Sequence, residues 1–520
     1  MSQVHAMSSI YNGAKFVIIE ASGNGIKDGI SGITSSSLDA VGPTTWNSRG
    51  WTYQEAILPK RKVFFTESQV FYECALRIDH EEMLTYSSFD PSMHSKHHYP
   101  TSTTSLVYNA ASECASELRK TELSNTRENP WEAYARHLPR YRQRKLREPA
   151  DLLSAFLGIL DALYPGNQSY YGLPIPDFYL ALMWRFWDDP YIRKVPLTGA
   201  PENHSGDRRL FPSWSWASAA DVIVDYDSLK YFCGTLCQWF KPDSTGKQLV
   251  PIIAPSQAAS RWIKRDGFWD IDPGTGTDAL HKLWVTILAI GLLENPVCAE
   301  AKEWSLRSTR DVTDQLAARW PSYAAFWQDI YGQEVALRYL QSRLVEETHD
   351  RIRDGVIVTQ ARIRYIEIRR SRRSAYQEAK RQKFEIFGER SHSIGFIHND
   401  CSQRIENLLN EDTGVFDCIA MSISTTNAQN RESSVSGSDD QESDDENTPH
   451  TDGSIADGIK NRTSPIFWGS SIDSPWKLEP WVNVLVIHKQ EGYCYRIGLG
   501  RINIDDWLES SGKLETIVLA

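Results

Sequence analysis

Side chains able to bind metal, attack as nucleophiles or move protons are spread thinly along this chain, and their spacing decides how few can act together. Five of the 13 histidines, His80, His94, His97, His98 and His137, fall in or just beyond a polar stretch from about 80 to 130. A His-rich tract can hold a metal, but a zinc site needs a second ligand pair at close spacing, and these histidines sit among Ser, Thr and Tyr instead. A surface loop is expected, with no metal and no resident cofactor. Cys233 and Cys237 are spaced C-x-x-x-C, without a second Cys or His pair at zinc-finger distance, so buried thiols are expected. Gly23-Asn24-Gly25, with Gly29 and Gly32, has the glycine content of a phosphate cradle but no Gly-Lys-Ser/Thr and no G-x-G-x-x-G opening a helix; it reads as a flexible loop. No G-x-S-x-G elbow occurs, which removes support for that class of hydrolase.

Aromatic and charged clusters offer binding chemistry. Trp214 and Trp216 alternate with serines in Pro212 to Ser218, and a strand there would send both indoles to one face. They could anchor a partner, but tryptophan is mostly buried, and core packing between the helical and β parts is the expectation. Arg362 to Lys383 carries nine basic residues against Glu367 and Glu378, with Tyr365 and Tyr376 interleaved. Such a stripe can bind RNA or anionic lipid; a solvated segment pairing loosely with an acidic loop is the plainer reading. Between Glu432 and Asp457 lie nine carboxylates and no Lys or Arg. Ser438 and Ser443 precede acidic residues there and are candidate phosphorylation sites.

The elements that must position these groups change character along the chain. Residues 1–80 read as alternating helix and strand: a helical face at Met7, Ile10, Tyr11 and Ala14, a strand at Phe16 to Ile19, and a helix from Trp46 to Ala56 stopped by Pro59. Strands come next at Lys62 to Phe65 and Gln69 to Cys74. Residues 81–130 form a polar linker and 131–210 a helical region, with Leu152, Leu153, Phe156, Ile159 and Leu160 on one apolar face. Residues 211–520 suggest a mostly antiparallel β domain, with strands at Ser213 to Ser218, Leu283 to Ile290, Gly355 to Ile368, Ser393 to Ile397, Val415 to Ser424, Val482 to His488 and Tyr493 to Ile502. A helical insertion is expected at 313–348. A disordered acidic loop is expected at 425–463, where almost no apolar residue could offset the ordering entropy. The fold class is thus α+β.

Composition sets the outer limits. The 520 residues are 41% hydrophobic and 24% charged, within the globular range and long enough for two or three domains. The net charge, 56 − 67 = −11, argues against an electrostatic nucleic-acid binder. Because the acidic loop holds nine of those charges, −11 + 9 leaves about −2 for the rest. The longest near-apolar run, Leu283 to Leu293, falls well short of the ~20 residues that span a bilayer. Eight scattered cysteines and a start without a basic-then-apolar leader lead us to expect a cytoplasmic protein with reduced thiols.

The run NSRGWTYQEAILPKRKVFFTESQVFYEC, Asn47 to Cys74, resembles the fungal HET (heterokaryon incompatibility) domain family, whose members share R-x-W-x-x-Q-E before a strand pair ending in Cys. The matching residues are Arg49, Trp51, Gln54, Glu55 and Cys74. Further segments are similar in order: MSSIYNGAKFVIIEASG, DLLSAFLGIL, GLPIPDFYLALMW, RRLFPSWSWAS and WVNVLVIHKQEGYCYRIGLGRI. The strand-and-helix portion that opens such domains, with its Y-x-W-like and D-x-x-C-I-N-Q-like segments, has no counterpart. Residues 1–80 are therefore expected to be the C-terminal part of a HET domain, a partial TIR-like α/β half-domain with an open sheet edge.

The resemblance implies non-self recognition and programmed cell death signalling through protein partners, with a homo-oligomer as one form of contact. Some TIR-like proteins cleave NAD with a glutamate, and the acidic residue in the matched segment is Glu55. On a helix from Trp46, Trp51 and Glu55 share a face, so the indole could desolvate the carboxylate and raise its pKa toward a general acid's. The competing expectation is that Glu55 pairs with Arg49, Lys60 or Lys62 while Trp51 fills the core. A NAD glycohydrolase using Glu55 and an inert scaffold are the two alternatives to the signalling reading.

Overall fold

The computed structural model describes residues 7–21 (save 8 and 12), 45–65, 70–74, 78–80, 130–187 (save 167), 210–219, 223–225, 232–253, 290–294, 319–320, 325, 329, 334–371, 384–388, 392–398, 405, 408–409, 413–427, 478–510 and 512–520. The chain divides into two compact units, Met1–Tyr226 and Asp227–Ala520. The architecture is α+β, mixed helix and strand with a large antiparallel sheet.

In the first unit, β1 (Val17–Glu20) pairs in parallel with β2 (Arg61–Phe65), after two short helices, α1 (Thr45–Ser48) and α2 (Thr52–Ile57). The sheet continues antiparallel through β3 (Val70–Cys74) and β4 (Ile78–His80). Among the described residues β1–β2 is the one parallel pair of this sheet, so the expected α/β character is confined to it.

The expected continuous helix from Trp46 to Ala56 is broken. Arg49 and Gly50 leave the helical path because they dock on the segment after α3 (Pro130–Arg142): Gly50 N–H donates to Lys145 O (2.7 Å) and Lys145 N–H to Ser48 O (2.6 Å), while Trp51 has already regained helical angles. Tertiary hydrogen bonds here replace the i to i−4 bonds of a helix.

Helix α4 (Ser154–Leu163) lays Phe156, Ile159 and Leu160 of the expected apolar face into the core, together with Ala155; Leu152, also buried, and Leu153 precede it. A two-stranded turn, β5 (Ser169–Tyr170) with β6 (Leu173–Pro174), leads to α5 (Phe178–Ala181), and β7 (Arg185–Trp187) pairs with β8 (Ile223–Asp225).

The expected strand Ser213 to Ser218 does not form. Trp216–Ser218 is a 3-10 turn capped by Ser215, whose Oγ accepts from Ala217 N–H at 3.1 Å. The serines that suggested alternation satisfy backbone locally instead. Residues 211–226, expected with the β-rich part, belong to the first unit.

The second unit is built on long strands: β9 (Phe232–Thr235), β10 (Phe240–Pro242), β11 (Leu249–Pro251), then helix α6 (Glu334–Thr348) and β12 (Ile357–Arg370). After these come β13 (Phe384–Phe387), β14 (Ser393–Ile397), β15 (Thr413–Asn427), β16 (Leu478–Gln490), β17 (Tyr493–Asn503), α7 (Ile504–Glu509) and β18 (Lys513–Leu519).

Pairing runs β12–β13–β14–β17–β16–β15, and β15 returns to β12, so six strands close into a barrel. Strand β18 lies antiparallel to β12 and touches β17 in parallel, bridging where the β13–β14 hairpin is short. Closure leaves these strands no free edge. One cross-strand layer runs Ile368, Ile386, Gly395, Ile502, Val482, Ile423, and its five large side chains are at most 1% exposed. Helix α6 packs Leu340 and Leu344 against Phe240, Leu249, Val356, Val358 and Val518, and falls inside the expected helical insertion.

Strand β15 reaches Asn427, three residues into the expected acidic loop; the remainder of that loop, with Ser438 and Ser443, lies outside the described residues. Of the expected strand at Leu283 to Ile290, only Ile290 is described, and it is helical, as are 291–294. The glycine loop at 23–32, most of the polar linker, and His94, His97 and His98 also lie outside. Among the described residues no helix is long and apolar enough to cross a membrane.

Candidate functional site

The motif residues Arg49, Trp51, Gln54 and Glu55 lie at the α1–α2 break, and the side chains of Trp51, Gln54 and Glu55 are each aimed at a different neighbour. Glu55 is half-buried. Its Oε2 accepts from Trp46 Nε1–H (3.0 Å) and its Oε1 from the Tyr11 hydroxyl (3.4 Å). The ring beside the carboxylate is therefore Trp46, not Trp51. The Trp51 indole turns away and donates to Asp151 Oδ2 (3.2 Å). Nor is Glu55 ion-paired among the described residues. Arg49 is exposed, and Lys62 is taken by Glu73, with Nζ 2.7 Å from Oε1. Tyr11 is pushed up to about 12, first by burial and then by the Glu55 charge and hydrogen bond, so its hydroxyl stays a donor.

Gln54 is fully buried. Its Nε2 donates to Ala155 O (2.8 Å) and Ser154 O (3.3 Å), joining α2 to the first turn of α4. Its Oε1 lies against Gly158, where any Cβ would overlap it, so a glycine in that helix is what lets the amide approach. Cys74 ends β3 as a half-buried free thiol.

Arg144 organises the break. Its Nη2 donates to Asn47 Oδ1 (2.6 Å), its Nη1 to Arg49 O and Thr52 Oγ1 (both 3.3 Å), and its guanidinium lies 4.8 Å over the Tyr53 ring. Burial brings it down to about 10, still a cation at neutral pH. Tyr53 shares a buried 2.8 Å hydrogen bond with His137 Nδ1. His137 is pulled down to about 3 by burial and then by Arg136, so it is neutral in the folded chain.

Arg144, Asn47, Tyr11 and Asp151 carry this site, and none of the four stands out in the sequence. Glu55 to Arg144 is 89 residues of chain, beyond any local periodicity. The dense basic run Arg140 to Arg147 is the one local signal that points toward it.

The tryptophan pair is core. Trp214 and Trp216 are fully buried: Trp214 stacks on Tyr170 (5.4 Å between ring centroids), and Trp216 meets Phe156 edge-on (5.8 Å) while donating to Gly172 O (3.1 Å). Both pack within the first unit, Trp216 against Tyr141 of α3 and Phe156 of α4, and Trp214 against Tyr170, Tyr171 and Phe178.

The described half of the basic run is not a solvated stripe. Arg364 is buried, with Nη2 2.8 Å from Glu294 Oε1, Nε 2.7 Å from Ser510 Oγ, and its guanidinium stacked 3.7 Å from the Trp507 ring centroid. Arg362 donates to Leu293 O (2.8 Å), and Arg369 grips Glu367 through both oxygens at 2.7 Å. Arg362 and Arg364 are thus committed within the fold, whereas Arg369 and Glu367, both side chains 33% exposed, pair at the surface.

Cys237 and Cys418 are buried free thiols. Desolvation pushes Cys418 up to about 12 and Cys237 higher still, which makes both inert as nucleophiles. Among the described residues no group of His, Cys, Asp and Glu could hold a metal ion. Comparison of the chain with models of protein families, with curated proteins and with solved structures returns no match.

Proposed function

We propose that this chain is a fungal heterokaryon-incompatibility-type protein, cytoplasmic, acting in non-self recognition and programmed cell death signalling through protein contacts rather than catalysis. The observation that carries the reading is how the motif side chains are spent. Both Glu55 oxygens accept hydrogen bonds from the chain itself, Trp51 holds Asp151, and Gln54 holds the start of α4. A carboxylate whose two oxygens are held by Tyr11 and Trp46 is poorly placed to move a proton at a substrate. The same residues are well placed to fasten a recognition surface to a rigid helical base.

A NAD glycohydrolase using Glu55 is the second reading, favoured by the half-exposure of that carboxylate beside an aromatic ring. Overexpression in a filamentous fungus, scored for death and for cellular NAD, separates the two. Death with NAD unchanged is the expected outcome. Death with NAD loss that Glu55→Gln abolishes and Glu55→Asp retains would replace it with the enzyme, and survival of every transformant would leave only an inert scaffold.

A further inference from the structure

The two hydrogen bonds that hold the Glu55 carboxylate come from parts of the fold anchored very differently. Oε2 takes the Trp46 indole N–H at 3.0 Å, and Trp46 is core: 7% exposed and edge-on to Phe64 of β2, with 5.6 Å between ring centroids. Oε1 takes the Tyr11 hydroxyl at 3.4 Å, long for an O–H···O bond. Tyr11 stands on a helical segment, with helical residues at 7, 9–11 and 13, that runs into β1 at Val17. A helix of about two turns does not persist in water by itself, so packing must hold it. That packing is slight. Each described residue from 7 to 18 is exposed or half-buried, Ile10 at 58% and Phe16 at 55% among them, and burial starts only at Ile19. Segments with so little buried surface open locally at low free energy.

We infer that the segment carrying Tyr11 is a latch on Glu55: its local opening withdraws the hydroxyl and uncovers Oε1, while Trp46 keeps Oε2 and the carboxylate stays in place. Moving Tyr11 breaks one long hydrogen bond and disturbs half-exposed side chains; moving Trp46 would open the core. The two oxygens therefore switch separately. Arg144, near enough for its charge to act on Glu55, is tied to Asn47, Arg49 and Thr52 and remains when Tyr11 leaves. Burial and the Glu55 charge push the Tyr11 hydroxyl up to about 12, so it stays a donor at neutral pH and the latch is worked by opening of the segment, not by titration of the tyrosine. The open form is a minor population, and a ligand that needs Oε1 binds only that fraction. This control goes beyond the signalling reading. Its effect on turnover rests on the enzyme reading, and its effect on access to Glu55 rests on neither.

Access to Glu55 in the purified full-length chain is read by carbodiimide coupling of an amine to carboxylates, followed by peptide mass spectrometry. Tyr11→Phe keeps the ring and removes the bond. Labelling of Glu55 should rise about two- to tenfold, the weight of one ordinary hydrogen bond, and amide exchange in 9–16 should quicken by a similar factor while α4 is unchanged. Glu73, buried against Lys62, reports general loosening and should label at the parent rate. Glu55 labelling equal in the two proteins, exchange in 9–16 of the parent as slow as in α4, or Glu73 labelling that rises in step with Glu55 would each overturn the latch. Labelling that responds as expected, with NAD consumed by neither protein, would keep the latch and remove the enzyme reading. NAD turnover in both with Glu55 labelling unchanged would do the reverse.

Discussion

Lys62 shows how a single residue of the matched segment is fixed by its surroundings. Its side chain is fully buried, its ammonium donates to Ala56 O (2.6 Å) at the end of α2, and it meets Glu73 across the β2–β3 pair. Desolvating two ions is costly, and their attraction offsets that cost only while both remain. Glu73→Gln is therefore expected to destabilise the chain by about 3–5 kcal/mol, and the double change Lys62→Met with Glu73→Leu by much less. Urea midpoints of the three proteins check this; a double variant as unstable as the single one would show that the pair is not the origin. Glu55, on the preceding helix, forms no ion pair among the described residues; Trp46 and Tyr11 hold its carboxylate by hydrogen bonds, with the Arg144 charge near enough to interact with it.

Among the elements, α3 couples the motif to acid. It carries His137 into the core, where burial and the Arg136 charge hold the imidazole at about 3, against 6.5 for the free side chain. The folded state refuses a proton that the unfolded chain accepts. Its contribution to stability is thus intact above pH 6.5 and is lost as pH falls from there toward about 3, at about 1.4 kcal/mol per pH unit once the unfolded histidine is charged. His137→Gln should flatten the pH dependence of unfolding between pH 6 and 4 by about one proton; an unchanged slope would contradict the assignment. The α1–α2 break belongs to the same scale. Tyr53 lies on the His137 ring, and Arg144 pins residues 47, 49 and 52, so the local helix yields to the packing of α3.

At the scale of the whole chain, the second unit depends on closing its own barrel. Strand β14 meets β17 at three positions, and Gly395 permits the approach because any Cβ there would overlap Arg501 O. Gly395→Val should part β14 from β17 and cost about 1–3 kcal/mol or more. Amide exchange should then accelerate in 393–397 and 500–502, with protection in α3 and α4 of the first unit unchanged. Equal acceleration in both units would show that the two do not unfold separately.

The sequence alone determined most of the features that periodicity dictates. Strands β14, β16 and β17, the apolar face of α4, the position of α6 and the antiparallel character of the second unit were legible because burial leaves periods of 2 and 3.6 in the order of residues. It also marked Arg49 to Glu55 as one cluster. Tertiary structure alone decided what that cluster touches. Trp46 rather than Trp51 beside Glu55, the break at 49–50 and the burial of Arg364 all depend on partners 9 to 146 residues away, whereas the 3-10 turn at Trp216 is capped locally by Ser215. Side-chain partners at such separations leave no local trace, because what selects them is the satisfaction of buried polar groups once the chain has closed.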